Sequence, residues 1–517
     1  MKWLNPVALG LMLICSGGEA QPIPDTLTLA LGAEPESGFD PLHGWGKYNN
    51  PLFQSSLIAK TPDLSLAPGL AAQWQTSDDG LSWHITLKPH LQFSDGSVLD
   101  ARDVKFTFER AMTSASAQDL TMLDSVSMTD DLNLVFHLKR PDMHFIEPLT
   151  TLGIVPSDSY GPGYGAHPVG SGPYKLVRWD RGQQLLAKRN PFYEGKPAAF
   201  EQLVLLFGND DSRFAQLAAG QLDMASVVPR YATHIPGGFR LWQVASVDNR
   251  GIVWPYIAEG QLAGAGNNVS SDKAVREAVS LVIDRDLLVK GLLEGYGRPA
   301  YSIADGLPWG IHISPETGSA TERLARADRL LTDSGWLMDD GVRVKQTADG
   351  PVRAEMTLLY AAGDSTREQL SLAVAQMVRP LGIVLKPKGG SWEQIAKVMH
   401  KNPVLMGFGS HSASEVYFTH HSRYGGQEYY NSGYYANPLV DSLLDKARTA
   451  DSWESSLPYW QDAQQQIAQD EPWTWLVNLT HLYAARACLD LGKPGIEPHG
   501  HGWPVLNNIT DWRWTCE

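Results

Sequence analysis

Apolar and polar residues alternate over 25–31, 82–87 and 132–138, the two-residue period of a half-buried strand. Between the last two, the stretch 101–112 takes up a helical period. Asp100 stands where it can cap the first turn, and Asp103 adds negative charge favourable to that end. Further helices are predicted over 211–219, stopped by Gly220, and over 325–334, stopped by Gly335. Leu281, Val282, Leu287, Leu288 and Leu292 predict one long helical region over 271–293, and two more helices are expected over 439–448 and 459–470. Strands and helices mix without strict alternation, and no fixed-period repeat is visible. The pattern indicates an α/β protein that is not a simple barrel.

At 517 residues and 56.8 kDa the chain exceeds one simple core, so two or three lobes are expected. Hydrophobic residues at 43% and charged residues at 19% belong to a globular chain. Lys plus Arg is 42 and Asp plus Glu is 57, a net charge of −15 that argues against coating nucleic acid or an anionic membrane. Residues 1–20 read as a secretory signal peptide: Lys2, an apolar run over 7–14, then Gly18 and Ala20 where a signal peptidase reads small residues. Bulky Ile14 before Cys15 argues for a soluble exported protein over a lipid-anchored one. Cleavage leaves Cys488 and Cys516, expected to form a disulfide in an oxidising compartment.

Enzyme signatures are missing. There is no His-Glu-x-x-His, no Walker A loop and no Gly-x-Ser-x-Gly elbow. Gly295-Tyr296-Gly297 follows a helix rather than a strand and reads as a turn. Asp78-Asp79 and Asp339-Asp340 adjoin glycines and read as solvated turns.

One long ordered pattern is informative. Leu66-Ala67-Pro68-Gly69-Leu70-Ala71, Trp74, Asp79-Gly80 and Trp83 lead to Phe93-Ser94-Asp95-Gly96 and to Asp100-Ala101-Arg102-Asp103-Val104-Lys105-Phe106. Val169-Gly170-Ser171-Gly172-Pro173-Tyr174, Asn190-Pro191-Phe192-Tyr193 and Gly220-Gln221-Leu222-Asp223 follow. This series resembles the extracellular solute-binding proteins, family 5, of peptide and nickel ABC importers. The resemblance implies a bilobal periplasmic binding protein-like fold of type II, with an extra subdomain in lobe I. It places lobe I at 21–258 and 479–517, the inserted subdomain at 66–167, and lobe II at 259–478. It implies a periplasmic monomer that closes on a solute and delivers it to a cognate ABC permease in the inner membrane.

The solute is read from departures. Peptide-binding members carry an aspartate for the peptide amino terminus in the segment corresponding to 406–415, and His411 stands in its place, with Glu415 nearby. An imidazole does not supply the charge that a buried ammonium needs. The segment is similar to the nickel-binding branch, which implies nickel as the cargo, carried as a chelate with a small organic ligand. His43 and His481 are expected to reach the cleft and ligate it, with His411, His420 and His421 as further candidates, because neutral imidazole suits nickel. Trp45, Tyr48, Trp254, Tyr256 and Trp392 are the candidate aromatic walls. Arg140, Arg230, Arg250 and Arg423 are candidates for gripping the chelator. A di- or oligopeptide binder of the same family is the alternative, and an exported hydrolase with a scattered site is a third.

Overall fold

The computed structural model describes residues 24–48, 52–114, 118–427, 429–500 and 502–516. The expected signal peptide and Cys15 lie outside the described residues.

Three sheets organise the chain. The first has seven strands, in the order Phe239–Val244, His481–Arg486, Met224–Val227, Thr26–Ala30, Gln202–Leu206, Gln184–Arg189 and Tyr174–Asp180. Its central strand shows why the sequence alternates there. Leu27 and Leu29 enter the core on one face, while Ala30 joins a smaller core on the other. The second sheet orders Gly297–Pro299, Trp473–Leu479, Asn249–Val253, Val404–Met406, Glu355–Ala361 and Val384–Gly390. Trp473 and Trp475 face one core and Leu476 and Val477 another, so this strand reads as a continuous apolar run. The third sheet, Ala71–Thr76, Ser82–Leu87, Asn133–Leu138 and Leu123–Met128, holds its own core against the helix Ala101–Ala111. Asp100 and Asp103 form a reciprocal capping box at that helix's start.

The chain leaves the first sheet after Val244 and enters the second at Asn249, earlier than the expected 258/259 boundary. It returns between Leu479 and His481. The expected long helix over 271–293 is two helices, Lys273–Val282 and Arg285–Gly291. Ile283 is extended and Asp284 caps the second helix, while buried Arg285 reaches back to the carbonyls of Ala300 and Trp475. The helix predicted from 459 begins at Trp453, because Ser452 and Ser455 cap it and exposed Pro458 is accommodated inside. Cys488 and Cys516 form a disulfide, with Cα atoms 5.0 Å apart, that ties the tail to the first lobe.

Candidate functional site

Strand Val404–Met406 runs to the junction of the lobes and turns through a loop into the helix Ser414–His420. Two glycines let that loop lie against the chain crossing. A Cβ on Gly407 would sit 1.9 Å from the Asn249 carbonyl oxygen. Gly409 has φ +143°, and a Cβ there would sit 2.6 Å from the Val247 carbonyl oxygen. The loop amides of Gly409 and Ser410 donate to Glu415 Oε2 at 3.0 and 2.9 Å. Glu415 is buried, and burial pushes its carboxyl up to about 7 against the pull of those two amides.

Lys47 and Tyr48 of the first lobe share with Glu415, Ser410, Ser412 and Ser414 a pocket of about 80 Å³ between the lobes. Phe418 and Tyr430 give it apolar walls. At its edge, the helix Pro438–Arg448 of the second lobe ends on a guanidinium that reaches the inserted subdomain. Arg448 pairs with Asp119 at 2.6 Å and with Asp142, and its side chain is 3% exposed. Burial disfavours its charge, but Asp142 and Asp119 outweigh burial and hold it fully protonated. This triad is a buried link between the second lobe and the chain around Asp119 and Asp142.

A second polar cluster occupies the two crossings. Asp248 accepts from Arg250, from His481 Nε2 at 3.1 Å and from His499 Nδ1 at 2.7 Å. Glu497 Oε2 accepts from His481 Nδ1 at 2.5 Å and from the Tyr483 hydroxyl at 2.6 Å. Burial alone would discharge His481, but its hydrogen bonds to Asp248 and Glu497, and their charges, raise it to about 9. His499 shares Asp248 yet moves down, because burial dominates and the Arg250 and Arg367 charges oppose a further cation. One carboxylate thus supports one imidazolium and one neutral imidazole.

The histidines expected to ligate nickel do not converge. Both nitrogens of His481 donate to carboxylates, which leaves no lone pair for a metal. His43 lies at the surface, its side chain 55% exposed and its Nδ1 3.0 Å from Asp40. His420 is sealed inside the second lobe beside Thr419 and Tyr435, and burial lowers it to about 4. His421 stands between Asp441 and Asp445. Among the described residues, no group of three or more His, Cys, Asp or Glu is arranged to hold a metal ion. His411 differs: burial first and the Lys60 charge second lower it to about 4 against a hydrogen bond to the Ile496 backbone, and its Nε2 has no partner among the described residues. It faces a larger cavity, of about 400 Å³, beside the first lobe's tail.

Of the expected aromatic walls, Tyr48 lines the interlobe pocket and Trp45 the larger cavity. Trp254 is core, its indole donating to Thr474 at 2.9 Å. Tyr256 packs edge-on against Tyr435 and beneath Arg276, and Trp392 packs against Tyr429 and Arg367. Arg250 is committed to Asp248. Lys47, Arg448, Asp248 and Glu497 were missed by sequence reasoning. The only available signal for Asp248 and Arg250 was a charged pair opening an otherwise apolar strand.

A two-lobed molecule with a walled, polar-lined junction between its lobes has the architecture of a binding protein of the periplasmic type. Residues 65–429 match the model for bacterial extracellular solute-binding proteins, family 5 middle region, and the chain belongs to that family. It is similar to protein XP55 of Streptomyces lividans, 32% identical over 89% of this chain and 84% of that one. In structure it is similar to NikZ from Campylobacter jejuni, solved with Ni(L-His), at a TM-score of 0.81, 23% identity and coverage of 95% and 100% of the two chains. It is also similar to the oligopeptide-binding protein AppA from Bacillus subtilis, solved with a nonapeptide, at a TM-score of 0.78, 23% identity and coverage of 95% and 99%. Both likenesses show the bilobal fold. Family members are solute-binding components of ABC importers, found in the periplasm or outside the cell, and are not enzymes.

Proposed function

We propose that this protein captures a small solute with a free amino group, of the di- or oligopeptide class, between its lobes. The observation that carries the reading is Glu415. It is a buried carboxylate on the junction, oriented by two backbone amides, with one oxygen's hydrogen bonds supplied by the protein. An ammonium arriving there would offset the desolvation that keeps the carboxyl near 7. The charge that His411 cannot supply is then supplied four residues further on. Phe418, Tyr430 and Tyr48 would pack the solute's apolar part, and the Arg448 triad would hold the lobes closed over it. In this reading the mature chain begins after residue 20, acts as a periplasmic monomer and hands its cargo to an inner-membrane permease.

A nickel chelate is the second reading. It is favoured by His411, whose neutral ring leaves Nε2 without a partner among the described residues and could hold a chelate through one imidazole. The histidine set of His43, His481, His420 and His421 does not support it. Native mass spectrometry of the protein purified from its own periplasm separates the two. A retained solute that is peptidic and metal-free is expected. A retained nickel complex, lost in His411→Ala, would move the cargo to the second reading.

A further inference from the structure

The larger cavity, about 400 Å³, does not lie in the pocket between Glu415 and Tyr48. It is enclosed by the hairpin strands Ile58–Lys60 and Leu66–Pro68, by the tail from Pro494 to Glu497 and by Pro504 to Asp511, with His411 as the second lobe's contribution. Its size is that of a ligand site. Four polar atoms of its lining residues are buried and have no partner among the described residues: Glu497 Oε1, His411 Nε2, Gln54 Oε1 and Trp45 Nε1. Glu497 is 3% exposed. Its other oxygen receives both His481 and Tyr483, so the carboxyl group is fixed in orientation. A buried carboxyl oxygen left without a donor is destabilising, and that cost would be removed by an arriving donor. The cations nearby do not provide it: Lys60 is engaged by Glu147 at 2.9 Å and Lys88 by Glu194 at 3.0 Å. The remaining wall is mixed: Leu64, Leu70, Pro494, Ile496 and Pro504 give it an apolar stretch, beside polar residues that include Ser56, Thr61 and Asn507.

We propose that this chamber is a second ligand site, which takes the primary ammonium of a small, apolar-bodied amine. Glu497 Oε1 accepts one N–H, and the neutral His411 ring offers Nε2 as a second acceptor. The hydrocarbon body packs against the proline and leucine wall. The site is independent of the cargo assigned to the interlobe pocket. Because His411 comes from the second lobe, filling the chamber also favours the closed form.

Calorimetric titration with phenethylamine, and with 2-phenylethanol as its uncharged counterpart, tests this on the full mature chain. The amine is expected to bind at least tenfold more tightly than the alcohol. In Glu415→Gln, where the interlobe carboxyl no longer holds the amine, the preference should persist, and adding Glu497→Gln should remove it. Equal binding of the two compounds, no binding of either, or loss of the preference in Glu415→Gln would overturn the proposal. Should Glu497→Gln fail to fold, the His411 ring nitrogen resonance of the unaltered protein decides. A shift on adding the amine supports the site, and no shift overturns it.

Discussion

Two regions of the junction use the same residue type to opposite ends. At the crossings, His481 lies between Asp248 and Glu497 and is held as a cation, up to about 9. In the segment from His411 to His420, both ends are imidazoles in apolar surroundings, lowered to about 4 by burial. The side chain is identical and the degree of burial is similar. What differs is whether carboxylates meet the ring. A histidine's charge, and so its fitness for metal, is therefore a property of what the fold brings to it from distant sequence. Asp248 is distant from His481 in the chain, and no local spacing announces their meeting.

That contrast can be broken by substitution. Asp248→Asn strips the crossings of the carboxylate shared by Arg250, His481 and His499. It should destabilise by about 3–5 kcal/mol, the loss typical of leaving buried charges uncompensated, as read from urea unfolding. A loss below 1 kcal/mol would mean that the crossing charges are hydrated in solution.

The pH dependence is the next largest effect. His481 is raised from 6.5 to about 9, a difference of about 3 kcal/mol. Because the folded state binds this proton more tightly, that stability is fully present below pH 6.5 and is lost as pH rises through about 9. His481→Gln should flatten this alkaline limb. An NMR titration placing the His481 midpoint near 6.5 would contradict the imidazolium assignment.

The tail gives a related effect. Opening the Cys488–Cys516 bridge, in Cys488→Ser with Cys516→Ser, should cost on the order of 3 kcal/mol on the chain-entropy model. Thermal unfolding of oxidised and reduced protein checks it. The smallest effect is expected in the apolar half of the comparison. His420→Leu removes a ring that is already neutral and whose Nε2 has no partner, so it should change stability by less than about 1.5 kcal/mol. A large loss would show that the Nδ1 hydrogen bonds to Thr419 and Val416 outweigh the apolar packing of the ring.

Much of the scaffold was legible. The strands at 82–87 and 132–138 and the helix after Asp100 carry their own period and caps, and the ordered glycine, proline and aromatic motifs point to the family. The break at Ile283 was not legible, because Leu281 through Leu292 keep a helical apolar stripe across it. Only the reach of Arg285 to a strand nearly two hundred residues away explains the turn. In the site, Tyr48 and Glu415 could be placed near the junction from their segments. The roles of His43 and His481 could not be read. A histidine after the first strand and one after a buried strand look alike in sequence, yet one is exposed beside Asp40 and the other is clamped by two acids. Arg448 acts through a partner 306 residues away and Glu497 through His481 and Tyr483, 16 and 14 residues before it on the strand His481–Arg486, and neither belongs to a motif.

The central claim is that the Glu415 carboxylate receives the cargo's ammonium, and calorimetric titration with the dipeptide Ala-Phe at pH 8 tests it most directly. The free dipeptide should bind. Its N-acetylated form, and the free dipeptide against Glu415→Gln, should each bind at least tenfold more weakly, a loss of about 1.4 kcal/mol. Because the empty site's carboxyl sits near 7, affinity for the free dipeptide should also fall as pH drops through that value. Equal affinity for free and acetylated dipeptide, unchanged in Glu415→Gln, would contradict the account.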